Sequence, residues 1–495
     1  MTTPSTAKPE RPWPQALAWG AFLGVLFFGS YSAANHFTAQ RSDVGVYVFG
    51  WELHIPFLAW TILPYWSIDF LYGIALFAAR SRDELFRLAK RLLAAQVICI
   101  TGFLLWPLHF SFSRPETHGW AGALFDALTG FDLPYNQAPS LHICLLIVLW
   151  RFYAGFLRPP LSESVRPERS KAKSKGGTAG AQCFDFTRFA PYAQHERFVG
   201  GLAQRWPTLG MLGLLHLWFA MIAVSVLTTY QHHFIDLLTG FWAGALCLLL
   251  VPDADATWRW RGHEPGRLRL ALYYFAGALL CAGFGALLFP SAFAWLLYWT
   301  AAALAGVAGI YLFGEGAHFG KRDGGMPWRS WMFFGPYLLG ARLNVWLWTR
   351  KLPVGAEVLD GVFLGRQPDA ATLTRHEIDH VIDLAAELPL AACPKSASGL
   401  PLQDLIPPSL AQLASAADAI EDAHQKRLRV WVCCALGFSR SAACVAAWLV
   451  RHRGHTPEQA LATIRQARPQ IVLNPVTINT LPIPKEAPWT PCLRR

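Results

Sequence analysis

The feature that most constrains this chain is a repeated apolar stretch. The run "ALAWGAFLGVLFFGSYSAANHF", Ala16 to Phe37, is long enough to cross a bilayer, which takes about 20 residues. Further apolar stretches follow at 55–78, 90–108, 140–157, 208–228, 233–251, 268–289 and 291–313. The first lacks a small-residue cleavage site and reads as a membrane helix rather than a cleaved signal. Charged residues make up only 15% of the 495, and hydrophobic residues 53%, where a soluble domain carries about 25% charge. The expected architecture therefore begins with a polytopic all-α membrane domain of about 8 spans.

The connections between these stretches alternate in charge. Residues 80–91 hold Arg80, Arg82, Arg87, Lys90 and Arg91 against Asp83 and Glu84, and 158–206 hold nine Lys/Arg against four acids. Residues 252–267 and 314–352 are basic as well, whereas 109–139, 229–232 and the turn near 290 carry almost no positive charge. Positive-inside bias then places both termini in the cytosol. The net charge of +11 is largely topological. No basic stretch is interleaved with aromatics, so no nucleic-acid partner is expected.

Composition divides the chain further. Residues 1–15 are polar and Pro-rich, a flexible tail, and 16–313 hold the spans. Residues 314–352 include "PWRSWMFFGPYLLGARLNVWLWTRK", with aromatics and scattered arginines suited to an interfacial linker or a poor ninth span. Residues 353–495 turn soluble. There "EVLDGVFLGRQPD" gives a strand and turn, "HVIDLA" and "RLRVWVCC" give strands, and 408–425 and "SAACVAAWLVRHR" give helices. Strands alternating with helices predict an α/β domain with a mostly parallel sheet. Ten cysteines without a C-x-x-C pair argue against a structural zinc site or a disulfide framework.

At the last strand–helix junction lies Cys434-Ala435-Leu436-Gly437-Phe438-Ser439-Arg440-Ser441. A loop of this kind turns its backbone N–H groups into one concavity, and the following helix adds its positive end, so it binds a phosphate dianion. The same field favours the thiolate, the competent nucleophile. Arg440 can clasp two phosphate oxygens, Gly437 permits a tight backbone, and Ser441 can hydrogen-bond the sulfur. Cysteines that end an apolar strand are also commonly buried small hydrophobes, which suits Cys433 on the opposite side of the strand.

C-x5-R with "GFSRS" inside it resembles the cysteine-dependent protein tyrosine phosphatase superfamily, and the "DGVFLGRQPD" opening resembles its dual-specificity branch. The resemblance implies a cysteinyl-phosphate intermediate and a general acid about thirty residues upstream. Asp404, in "LPLQDLIPPS", matches that acid; the alternative is a turn or helix-cap aspartate. The family's His before the nucleophile is Cys433 here. The loop also lacks the additional Lys or Arg expected for highly phosphorylated inositides. The implied substrates are phospho-Tyr, phospho-Ser or phospho-Thr in a protein, or a phospholipid headgroup.

Two motifs in the membrane part carry ionisable residues at the starts of spans, where they are costly and point to function. "DLPYNQAPSLH" holds Ser140 and His142, and "TTYQHHFIDLLTG" holds His232 and Asp236, four residues apart and on one helical face. Singly, each His also suits the headgroup boundary. Together the motifs resemble the type-2 phosphatidic acid phosphatase superfamily, and most of all its inositol-phosphorylceramide and sphingomyelin synthase branch. The resemblance implies His232 as a nucleophile forming a phosphohistidine, Asp236 as its orienter, His142 as acid/base, and Arg114 of "SFSRPE" as a phosphate ligand beside Ser140. The family's Lys seven residues before Arg114 is Pro107, and apolar sequence around Ser225 and Val226 replaces its second Arg. Fewer clamping cations suit a phosphodiester lipid or a transferase.

The expectation is thus a membrane-bound phosphatase, in a bacterial inner membrane, with its His/Asp site outside the cytosol and its Cys site inside. Its partners are membrane lipids and a phosphorylated lipid or phosphoprotein. Neither chemistry calls on a metal or cofactor. Two rival readings are a non-catalytic membrane anchor or lipid sensor, and a transporter with a regulatory tail, for which Asp69 in "YWSIDF" is the one mid-span charge.

Overall fold

The computed structural model describes residues 11–130, 132–157, 199–253, 256–322, 324–392 and 394–481. Most of the expected tail and of the basic 158–206 connection lie outside the described residues. The chain forms two compact units, divided after Asp253.

The first unit is a helical bundle: α1 (Trp13–Ala39), α2 (Ile62–Ala78), α3 (Arg82–Leu105), α4 (Gly119–Thr129), α5 (Leu141–Leu157), α6 (Val199–Thr228) and α7 (Phe234–Leu250). Helix α5 packs against α2, α3, α6 and α7. Its contact with α7 is close because α7 presents glycines one turn apart. A Cβ on Gly240 would lie 2.6 Å from the Ser140 carbonyl oxygen, and one on Gly244 would lie 2.7 Å from Ile147 Cβ. Small residues let apolar helices approach this way without a hydrophobic drive between them.

Among the described residues, six helices are long and apolar enough to cross a membrane: Trp13–Ala39, Ala59–Ala78, Arg82–Leu105, Gly210–Thr228, Arg267–Leu288 and Phe293–Phe313. The expected count of about 8 also takes in α5 and α7, which are shorter apolar helices. Each has 17 residues, roughly 26 Å of helix against a hydrocarbon core of about 30 Å. Ten residues of α5 are buried inside the bundle. Its apolarity serves packing rather than lipid contact.

The second unit opens with α8 (Arg267–Leu288) and α9 (Ala292–Phe313), which pack along each other. A 3-10 turn (Gly316–Phe319) leads to α10 (Trp328–Thr349). A five-stranded sheet follows, built from β1 (Gly355–Leu359), β2 (Val362–Arg366), β3 (His380–Ala385), β4 (Ser396–Leu402) and β5 (Val430–Cys434). The strand order is β1-β2-β5-β3-β4, parallel except for β1. The β1–β2 hairpin turns at Asp360 and Gly361, both at positive φ, as tight hairpins require. The helices of this part are α11 (Ala370–Arg375), α12 (Leu410–Gln425), α13 (Arg440–Arg453), α14 (Pro457–Ala467) and α15 (Pro475–Asn479).

Alternation along β5 sorts its residues onto two faces. Val430, Val432 and Cys434 pack with α12 and α13, while Trp431 and Cys433 pack with Phe363 and Val381 on the other face. Helix α12 starts on a capping box: Ser409 Oγ accepts from Gln412 N at 3.3 Å, and Gln412 Oε1 accepts from Ser409 N at 2.9 Å.

Candidate active site

The junction of β5 and α13 places Cys434 at the end of a central strand and Arg440 at the first turn of a helix. Gly437 N donates to Cys434 Sγ at 3.3 Å, and Ser441 Oγ lies 3.3 Å from the same sulfur. Gly437 has φ +74°, and a Cβ there would run into the backbone of Gly365 and Arg366. The loop is braced from outside: Arg468 Nε donates to Gly437 O at 3.0 Å, and Val472 N donates to Phe438 O at 2.9 Å. Ala435 and Leu436 face a cleft of about 300 Å³, which Glu387 and Asp404 also line. Ser439 stands at the N-cap position of α13, with no side-chain capping hydrogen bond.

Arg440 is buried and held in place. Its Nη1 donates to Glu387 Oε2 at 2.8 Å and to Leu402 O at 2.9 Å, and its Nη2 donates to Glu387 Oε1 at 2.6 Å. Asp404 Oδ1 stands 3.0 Å from Nη2. Nε of Arg440 has no partner among the described residues. Burial alone would raise the Glu387 carboxyl, but the Arg440 charge and hydrogen bonds outweigh it and hold Glu387 below the ordinary carboxylate range. Asp404 goes the other way. Desolvation raises it, the Glu387 charge adds to the rise, and Arg440 only partly offsets the two. Cys433 is fully buried on the far face, and burial pushes its thiol up. Its strand neighbour is Asp383, which pairs with Lys321.

A family model described as "Dual specificity phosphatase, catalytic domain" matches residues 362–482. These residues are a dual-specificity phosphatase catalytic domain. The chain is accordingly a phosphoric monoester hydrolase. Among solved structures, a mouse putative dual specificity phosphatase complexed with zinc tungstate is 28% identical over 26% of this chain and 84% of its own, with a TM-score of 0.24. Human DUSP28 is 27% identical over 26% and 90%, with a TM-score of 0.24. PTPMT1 in complex with PI(5)P is 21% identical over 26% and 92%, with a TM-score of 0.23.

Within the dual-specificity domain the structure brings together Cys434, Gly437, Arg440, Ser441 and Asp404. It adds two residues that the sequence reading missed. Glu387 had a readable signal, as an unpaired acid inside the apolar run "DLAAELPL". Arg468 had none, because its partner is a backbone carbonyl thirty-one positions away.

The helical unit holds a second polar cluster, at the end of the bundle where α1, α3 and α6 finish and α2, α5 and α7 begin. His232 Nδ1 lies 3.4 Å from Asp236 Oδ2. His232 is not on the helix, as the spacing had suggested. Helix α7 starts at Phe234, and Asp236 Oδ2 caps it by accepting from His233 N at 2.9 Å. Ser140 N donates to Asp236 O at 3.1 Å, and Ser140 Oγ accepts from Ile143 N at 3.3 Å at the start of α5. His142 stacks on Tyr65 at 4.2 Å and lies within charge–charge reach of His232. The Arg114 guanidinium sits over Phe125 at 4.8 Å. Sequence reasoning missed Asp132, which lies within charge–charge reach of both His232 and Arg114. It also missed Glu52, whose Oε2 stands 3.2 Å from His233 Nδ1.

Proposed function

We propose that Cys434 is the nucleophile of the phosphatase domain and that Asp404 is its general acid. One observation carries this reading: the Cys434 sulfur is paired with Gly437 N and Ser441 Oγ beside a guanidinium that Glu387 holds in place. The thiolate attacks phosphorus, the bond from phosphorus to the ester oxygen breaks, and Asp404 gives that oxygen its proton. Water then attacks the cysteinyl-phosphate, Asp404 takes a proton back, and inorganic phosphate leaves with the thiolate restored. Arg440 and the loop amides of Ala435 to Ser439 bind the transferring phosphoryl group. The substrate is a phosphoprotein or a phospholipid headgroup. Cys434→Ser in the full-length protein is expected to abolish hydrolysis of p-nitrophenyl phosphate; retained turnover would sink the mechanism.

The helical part, on this reading, sits in a membrane, a bacterial inner membrane, with both termini in the cytosol. The support is six helices of spanning length and the alternation of basic and neutral connections. We assign the Arg114, Ser140, His142, His232 and Asp236 cluster to hydrolysis or transfer of a lipid phosphate through a phosphohistidine on His232. The uncharged connections that carry it put it outside the cytosol, opposite Cys434. A second reading makes this unit a non-catalytic anchor or lipid sensor. The low exposure of His232, 6%, favours it.

A further inference from the structure

The cleft over the phosphate loop is not walled by the phosphatase domain alone. Glu387, Leu388, Asp404, Ala435 and Leu436 close one end, and the rest of the lining comes from α8, α9 and α10. Two of these, α8 and α9, are long and apolar enough to span a membrane. The acid loop is tied to them: Tyr311 OH donates to Asp404 O at 3.0 Å, and Gln403 Nε2 donates to Ile310 O at 3.3 Å. Lys321, on the connection between α9 and α10, donates to Ala385 O at 2.7 Å. From the level of Tyr311 the lining climbs α9 through Leu304 to Thr300. The eleven steps from residue 300 to 311 correspond to ~16 Å of helix. The cleft therefore runs from the phosphate loop along a membrane helix.

Helix α10 completes the arrangement. Its Ala341 and Val345 pack on Ala385, Leu388 and Ala435 of the phosphatase domain. The other side exposes Leu339, Leu343, Trp346 and Leu347, each at 50% or more. They recur at i, i+4, i+7 and i+8, one continuous apolar stripe. A helix with such a stripe belongs against lipid. None of the residues lining the cleft beyond the phosphate loop is Lys or Arg.

We infer that the substrate of the Cys434 site is a membrane lipid phosphomonoester, whose phosphate enters the loop while its acyl chain lies between α9 and α10. This rests on the Cys434 mechanism proposed above. A phosphoprotein would meet membrane helices where it needs an open groove. A lipid needs that lateral opening and gains from the apolar walls.

The test uses full-length protein in liposomes, with dioleoyl phosphatidic acid, p-nitrophenyl phosphate and a phosphotyrosine peptide as substrates. Gly340→Trp fills the cleft from α10, where an added Cβ meets nothing within 4 Å, and Leu304→Trp fills it from α9. Each is expected to lower the ratio of kcat/KM for the lipid to that for p-nitrophenyl phosphate at least tenfold. An unchanged ratio in both variants, or a wild-type preference for the peptide over the lipid, overturns the inference. A second readout does not depend on activity: Cys434→Ser protein with a photoreactive acyl-chain phosphatidic acid is expected to cross-link within α9 or α10, and labelling confined to other helices overturns the inference. Failure of the underlying mechanism is distinguishable, because Cys434→Ser would then still hydrolyse p-nitrophenyl phosphate.

Discussion

Arg440 and Glu387 form a buried two-point pair beneath the phosphate loop, Nη1 to Oε2 at 2.8 Å and Nη2 to Oε1 at 2.6 Å. The pair fixes the guanidinium plane before any phosphate arrives, so little side-chain entropy is lost on binding. Glu387 is thus a positioning residue.

Glu387→Gln is expected to lower stability and activity together. Removing one partner of a buried pair strands the other charge and costs about 3–5 kcal/mol. The pH dependence has a definite sign. Glu387 is held below its ordinary value in the folded protein. Its contribution is therefore fully present above the ordinary carboxylate range and is lost as pH falls through the lowered value. Thermal unfolding followed by tryptophan fluorescence should show a wild-type advantage that shrinks in acid. An advantage independent of pH would contradict the charge argument.

As the proposed general acid, Asp404 must be protonated when the ester bond breaks. Its carboxyl is raised by desolvation and by Glu387, so the alkaline limb of kcat/KM is expected above the ordinary aspartate range. Asp404→Asn should lower kcat roughly 10²–10⁴-fold for alkyl phosphates, and much less for p-nitrophenyl phosphate, whose leaving group needs no proton. Glu387→Gln removes a charge that raises Asp404, so it should move the alkaline limb to lower pH. Equal losses on both substrates would remove Asp404 from the acid role.

Much of this site was legible because its parts are local in sequence. Cys434, Gly437, Arg440 and Ser441 fall within one strand–loop–helix junction, where spacing alone predicts a phosphate cradle. The sheet was legible where strands are apolar, as in "HVIDLA". Strand β4 was not, because "SASGLPL" has no alternating apolar pattern and is recruited by pairing with β3. Glu387 and Arg468 were missed because they act through contacts between distant segments. The span count is open to the sequence only within limits, because a helix buried in a bundle and a helix facing lipid have the same composition. The cleft along α9 could not be read at all, since it joins distant segments, as in the Tyr311–Asp404 contact across 93 positions.

Gly437→Ala should disable the cradle. The position has φ +74°, and a Cβ would meet the Gly365 and Arg366 backbone. A left-handed non-glycine residue costs roughly 1–2 kcal/mol before any clash, and relieving the clash pulls Gly437 N from the Cys434 sulfur. A drop in kcat of at least tenfold is expected, with a lower Tm. Wild-type kcat in the variant would mean that the loop amide does not serve the thiolate.

The two polar clusters share no residue, and their chemistries should separate. His232→Ala is expected to abolish any lipid phosphate hydrolysis or headgroup transfer that survives Cys434→Ser, while p-nitrophenyl phosphate turnover through Cys434 stays at the wild-type level. Asp236→Asn should reduce the same activity 10²-fold or more by loosening His232, and should also weaken the start of α7, since Asp236 Oδ2 caps it at 2.9 Å from His233 N. His233→Ala is the control, because it keeps both the carboxylate facing His232 and the backbone N–H that Asp236 caps. Lipid assays on the four single variants and on Cys434→Ser/His232→Ala decide the matter. If Cys434→Ser alone removes every lipid activity, the helical unit is an anchor or sensor and its His/Asp cluster is structural.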